Sequence, residues 1–185
     1  GNDKGDFYYT PPSGFIALCT DNLDDPAIAL PTDYFNPVLY TGNSTGGRDI
    51  TVGMAPDLVW CKNLTGNNHS LTDSVRGVNR QLSSNLTANE TTHTNRVTAF
   101  NSDGFTTGDS DDTNANNDGI ISWNWKAGGA PTADNSAGAG NTPTAGSVKI
   151  NGSNLGSALA GTIPAVRLSA NTTSGFSIIT HNGTG

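Results

Sequence analysis

Residues 33–62, DYFNPVLYTGNSTGGRDITVGMAPDLVWCK, restrict the chain to one class of fold. Residues 38–41, 49–52 and 58–62 are short runs of β-branched, aromatic and aliphatic residues, separated by Gly-, Asn- and Pro-bearing turns. In the third run Leu58, Trp60 and Lys62 share one face while Val59 and Cys61 share the other. Both faces carry apolar side chains, so this strand is expected at the centre of a sheet and covered on both sides. The opening of the stretch recurs in part near the other end, in GFSIITHNGTG. Placing Phe176 on Phe35 puts Ile179 on Val38 and Gly183 on Gly42. Such recurrence predicts two tandem copies of one β-domain, the second represented here only by its start.

The rest of the chain repeats the pattern of short strand and turn. Residues 97–101 and 104–107 flank Ser102-Asp103 and predict a hairpin closing on Asp-Gly. Residues 120–126, IISWNWK, form the strongest single strand. Ile121, Trp123 and Trp125 point one way, and Ile120, Ser122 and Asn124 the other. Two indoles on one face offer several kcal/mol of apolar burial, so the tryptophan side is expected in the core. Residues 81–90 have only a weak helical look, and a turn competes with it. Residues 7–10 and 14–20 read as strands, the first stopped by Pro11-Pro12.

Composition agrees with this reading. About a third of the residues are Asn, Thr or Ser, and Gly adds 23 more. Glu90 is the single glutamate among 16 acidic residues; the others are aspartates, which belong in turns and caps rather than helix interiors. The predicted fold is all-β: an antiparallel β-sandwich, jelly-roll-like, with a flanking linker and the start of a second tandem repeat. The expected organisation is the end of a preceding β-domain and its exit segment (1–26), a sandwich repeat (27–128), a Gly/Ala/Pro/Thr linker (129–146), a small β-rich connector (147–170) and the second copy (171–185). The connector is too small to bury a core alone. No initiator Met and no leader pattern is visible, so the N-terminus is expected to be internal to a longer protein.

Net charge is −7 with nine scattered basic residues, which argues against a nucleic-acid partner. No apolar run reaches the ~20 residues of a membrane span. Cys19 and Cys61 read as unpaired thiols, with a disulfide between them as the competing reading. The acidic loop GDSDDTNANNDG is the best candidate for chemistry. Asn114, Asn116 and Asp118 fall at alternate positions of a calcium loop, with Asp111 nearby, and calcium takes such oxygen ligands. Position 12 would be Trp125 rather than Glu, and a solvated hairpin loop competes as the reading. His69, His93 and His181 have no metal or catalytic spacing. Tyr8, Tyr9, Tyr34 and Tyr40 are candidates for stacking on a sugar, against a commoner role as core aromatics. No other cofactor is indicated, and no nucleophile motif marks an enzyme.

Read together, PPSGFIALCTDNL, APDLVWCKN, DSVRG, QLSSNLT, FNSDGFTTG, SWNWKAGG and SGFSIITHNGTG resemble a repeat domain of large virion proteins from tailed phages of marine bacteria and cyanobacteria, where it follows a SPRY-like, concanavalin-type sandwich. The order of these motifs carries the resemblance. It implies a tail-fibre or other appendage component at the virion surface. It also implies a homo-oligomer, by expectation a trimer, contacting other virion proteins and a host-surface glycan or protein. Trp60, Trp123, Trp125 and Phe105 would be core, and Gly77, Gly104 and Gly128 turns. The acidic loop around Asp111 is longer than the resemblance implies. A capsid-decorating or purely architectural fibril component is the alternative, and a glycan depolymerase a third class.

Overall fold

A computed structural model describes residue 5 and residues 7–136, 142–159, 161 and 163–183. The expected linker and second copy therefore lie partly outside the described residues.

The described residues form 13 strands. They are β1 (Phe35–Thr41), β2 (Arg48–Thr51), β3 (Leu58–Asn63), β4 (Ser70–Asp73), β5 (Arg80–Leu82), β6 (Thr91–Thr92), β7 (Val97–Asn101), β8 (Gly104–Thr107), β9 (Gly119–Trp125), β10 (Val148–Ile150), β11 (Ser153–Asn154), β12 (Ala165–Asn171) and β13 (Phe176–His181). One short helix, α1 (Asp111–Asn114), precedes β9. Strands β1-β9-β3-β4-β5-β6 form a six-stranded sheet and β2-β8-β7 a three-stranded one. Every pairing in both is antiparallel. The two sheets pack as a sandwich around Ile50, Val52, Met54, Val59, Cys61, Val97, Phe105 and Ile120, with Val38, Tyr40 and Phe100 half-buried against them.

The expected Asp-Gly hairpin is present, with Asn101 opposite Gly104. A Cβ on Gly104 would lie 2.0 Å from the Ile50 carbonyl oxygen, so only glycine lets β2 approach this turn. Residues 81–90 contain no helix; β5 ends at Leu82 and a turn follows. Residues 7–30 hold no strand among the described residues, contrary to expectation, only a 3-10 turn at Thr20–Asn22. A strand needs a partner edge, and Pro11-Pro12 offers no N–H to one. Phe7, Tyr8, Tyr9, Phe15 and Leu18 are consequently exposed.

Strand β9 corrects a second expectation. Ile120, Ser122 and Asn124 are sealed in the core, while Ile121, Trp123 and Trp125 are half-buried on the outer face. Sheets about 10 Å apart leave room for one large ring across the layer. The facing sheet supplies it as Phe105, which meets Tyr40 edge-on at 6.4 Å. Small polar residues therefore line β9's inner side, where Asn124 donates through Nδ2 to the Asn36 carbonyl (2.9 Å) and the Ser122 hydroxyl (3.0 Å). Of the expected core residues Trp60, Trp123, Trp125 and Phe105, only Phe105 is sealed inside. Strand β3 is central in the sheet as expected, but only its Val59, Cys61 and Asn63 side is fully covered.

A third sheet, β11-β10-β12-β13, contains a parallel pairing, β10 with β12. Strand β13, the segment aligned on β1 by sequence, pairs with β12 and is half-buried at Phe176 and Ile178. Its burial alternation has the opposite phase to that of β1, where Phe35 and Leu39 are exposed.

Candidate functional site

The acidic loop is part of the fold rather than a solvated hairpin. Ser110 caps α1 by accepting from the Asp112 amide, and Asp112, Thr113 and Asn114 are buried. Tyr40 donates to the Thr113 carbonyl (2.7 Å), and the Thr107 hydroxyl donates to that of Thr113 (2.9 Å). Asn114 accepts from the Asn43 amide at Oδ1 and donates through Nδ2 to the Thr45 and Gly108 carbonyls. Asp112 accepts from the Asn68 amide (2.9 Å) and pairs with Arg96. At the end of the loop, Asp118 accepts from Asn63 Nδ2 (2.9 Å) and from the Thr65 hydroxyl (2.5 Å). These bonds, Thr65 first, hold its carboxyl below the usual range. Of the residues read as a calcium set, Asn114 is thus buried and committed, Asp118 is tied to two donors, and Asp111 and Asn116 are exposed. Among the described residues no group of three or more His, Cys, Asp or Glu side chains is placed to hold a metal ion.

The histidines are dispersed. His69 sits beside Trp60 with its Nδ1 2.6 Å from the Ser84 hydroxyl, and burial followed by the Lys62 charge lowers its pKa. His93 is lowered by burial and then by Arg96. His181 is exposed. Of the tyrosines, Tyr8 and Tyr9 are exposed and Tyr40 is a core residue. Tyr34 lines a cleft described below.

Two surface features stand apart from the core. The first is the outer face of the six-stranded sheet. Trp60 lies opposite Trp123 with ring centroids 5.1 Å apart, and Phe35 opposite Trp125 at 5.0 Å. Phe176 stacks on Trp125 from the third sheet at 5.9 Å. Around this row stand Leu39, Ile121, Leu58, Leu71 and Leu82, with Leu39 68%, Phe35 38% and Leu82 41% exposed. The sheet therefore presents a largely apolar outer face running from β1 to β5, with Lys62 and Arg80 as its charged members.

The second feature is a cleft of about 940 Å³ between the sandwich and the third sheet, lined by Tyr34, Pro56, Phe100, Lys126 and Asn171 among others. Its architecture rests on Asp57, which is 6% exposed. One carboxylate oxygen accepts from the Ser74 hydroxyl (2.6 Å), the other from the Ala127 (2.8 Å) and Gly129 (3.2 Å) amides. Three sequence motifs, APDLVWCKN, DSVRG and SWNWKAGG, thus meet at one carboxylate. Between its two ligating amides the chain passes through the third sheet. Gly128 donates to the Ser169 hydroxyl (2.8 Å) and accepts from the Gly152 amide (3.0 Å). A Cβ there would lie 2.4 Å from the Ala170 oxygen and 2.5 Å from the Lys149 oxygen. Arg167 adds a second tie, donating to the Val75 carbonyl (3.2 Å) and pairing with Asp134 (2.5 Å). The start of the expected linker is therefore a docked strap. Sequence reasoning missed Asp57 because its partners are main-chain amides some 70 residues away.

These features define a β-sandwich with a smaller sheet strapped to its end. A family model, a domain of unknown function (DUF7483), matches residues 30–153. The match covers more than half of the chain, which therefore belongs to this family; it takes in the sandwich, the strap and β10. No curated protein and no solved structure matches the chain.

Proposed function

We propose that this chain is a non-enzymatic structural module of a phage virion appendage. It works as a homo-oligomer on the particle surface, associates with other virion proteins, and presents loops to a host glycan or protein. The apolar outer face of the six-stranded sheet carries this reading. Water-facing sides of antiparallel sheets normally carry polar residues. Here that side carries three tryptophans, Phe35 and a border of leucines. Exposed leucines among indoles whose faces are taken up by neighbouring rings suit a protein surface better than a sugar, which pairs with an open ring face and hydrogen-bonding neighbours.

Size sets how this face is used. Five strands about 4.8 Å apart and ~20 Å long give a projected area of roughly 400 Å². This matches the larger apolar patches that mark interaction sites and falls short of the ~800 Å² per partner of a stable pair. The face is therefore assigned to multivalent assembly between copies, where effective concentration in a fibre makes up for a small contact. A trimer is what the sequence resemblance implies. The cleft's acidic side chain, Asp57, is committed to three donors, which suits architecture better than acid–base chemistry.

The test is multi-angle light scattering of the wild type and Leu39→Glu. Leu39 is mostly exposed, so its replacement leaves the fold intact, checked by an unchanged Tm. The reading expects a concentration-dependent oligomer that Leu39→Glu shifts to monomer. A wild type that stays monomeric at high concentration, or an oligomer indifferent to the substitution, refutes it.

A further inference from the structure

The cleft has a chemistry that the architectural role of Asp57 does not use. With Asp57 committed to its three donors, Lys126 is the one charge among the described residues lining the cleft that is left without a partner. Its backbone amide donates to the Tyr34 carbonyl (2.9 Å), which fixes the two residues side by side. Among the described residues, neither the Lys126 ammonium nor the Tyr34 hydroxyl makes a hydrogen bond or ion pair. The cleft thus holds one unpaired cation in a chain of net charge −7.

The walls narrow the ligand class. Tyr34, Phe100 and Pro56 supply flat apolar surface, and amide and hydroxyl residues from Asn101 to Thr173 supply a neutral polar rim. A volume of about 940 Å³ lies within the range of small-ligand sites. Flat apolar walls receive the C–H face of a sugar ring, the rim suits its hydroxyls, and one ammonium suits one carboxylate. A polyanion is disfavoured, because one cation in an acidic protein cannot offset repeated phosphates. We propose that this cleft is a binding site for a carboxylate-bearing saccharide, with Lys126 holding the carboxylate and Tyr34 and Phe100 flanking the ring. This site lies apart from the outer sheet face and does not depend on the assembly assigned to that face.

The test is an NMR titration of the full chain, following backbone amides, with sodium glucuronate, galacturonate and N-acetylneuraminate. Methyl glucoside serves as the control without charge and acetate as the control without a ring. At least one acidic sugar is expected to shift the amides of Lys126, Ala127, Gly129 and Gly152 saturably, with both controls at least tenfold weaker. Lys126→Gln should weaken binding about tenfold or more, and Lys126→Arg should retain most of it. Preserved amide dispersion shows that both variants are folded. Three outcomes overturn the proposal: no saturable shift with any of the three sugars, equal shifts from acetate, or an affinity unchanged in Lys126→Gln.

Discussion

Replacing Asp57 tests how the two parts of the molecule are held together. In Asp57→Ala, the Ser74 hydroxyl and the Ala127 and Gly129 amides lose their acceptor in a buried setting. Ser74 can rotate to another partner, whereas the two amides are fixed by the strap. A buried donor left unsatisfied costs about 1–3 kcal/mol, so the substitution should cost roughly 2–4 kcal/mol. For a chain of this size ~1 kcal/mol moves Tm by about 2–4 °C, which predicts a fall of about 5–15 °C. The loss should be local first. Hydrogen exchange should speed up at Gly128, Gly152 and β10 before it does in β3 and β9. Gly128→Ala, which sets a Cβ against the Ala170 and Lys149 oxygens, should give the same exchange pattern with Asp57 intact. A loss below about 1 kcal/mol, or exchange that rises uniformly over both sheets, would refute the hub role of Asp57.

Acid stability gives a second prediction. The carboxyl of Asp118 is held below its usual value of 3.8 by Thr65 and Asn63. A depressed folded pKa means that its contribution is present above pH 3.8 and is lost as pH falls through the lower folded value. Asp118→Asn should therefore have a lower urea midpoint at pH 7 and converge on the wild type at strongly acidic pH; parallel curves across the range would contradict this. Thiol chemistry gives a third. Burial pushes the Cys61 thiol up to about 12, so at pH 8 iodoacetamide should modify half-buried Cys19 and spare Cys61 until urea is added. Native-state alkylation of Cys61, read by mass spectrometry, would contradict its sealed position.

Where the sequence and the structure agree, the information is local. The strand identity of β3 and β9 follows from period-two alternation, and the hairpin at 101–104 from Asp-Gly. The side of β9 that faces inward was not readable from its own residues. IISWNWK has apolar residues on both faces, and hydrophobicity favours the tryptophans, yet the interior already holds Phe105 and accepts Ser122 and Asn124 instead. The acidic loop reads as solvated because it is polar. Its middle, Asp112 to Asn114, is buried because partners of the loop, such as Asn43, Asn63, Asn68 and Arg96, arrive from distant strands and loops. The expected strand at 7–10 has the right residues but pairs with no other strand among the described residues. Asp57 looks like one aspartate among many, since nothing in its neighbours announces the amides of residues 127 and 129.

The measurement that bears most directly on the assembly reading is oxidative footprinting of Trp60, Trp123 and Trp125 by mass spectrometry. It would be done on the wild type at assembling and dilute concentrations, and on Leu39→Glu. All three indoles lie on the outer sheet face, half-exposed in the single chain. The account predicts protection of all three at high concentration, lost on dilution and absent in Leu39→Glu. Equal reactivity in every sample would show that another surface, or none, joins the copies.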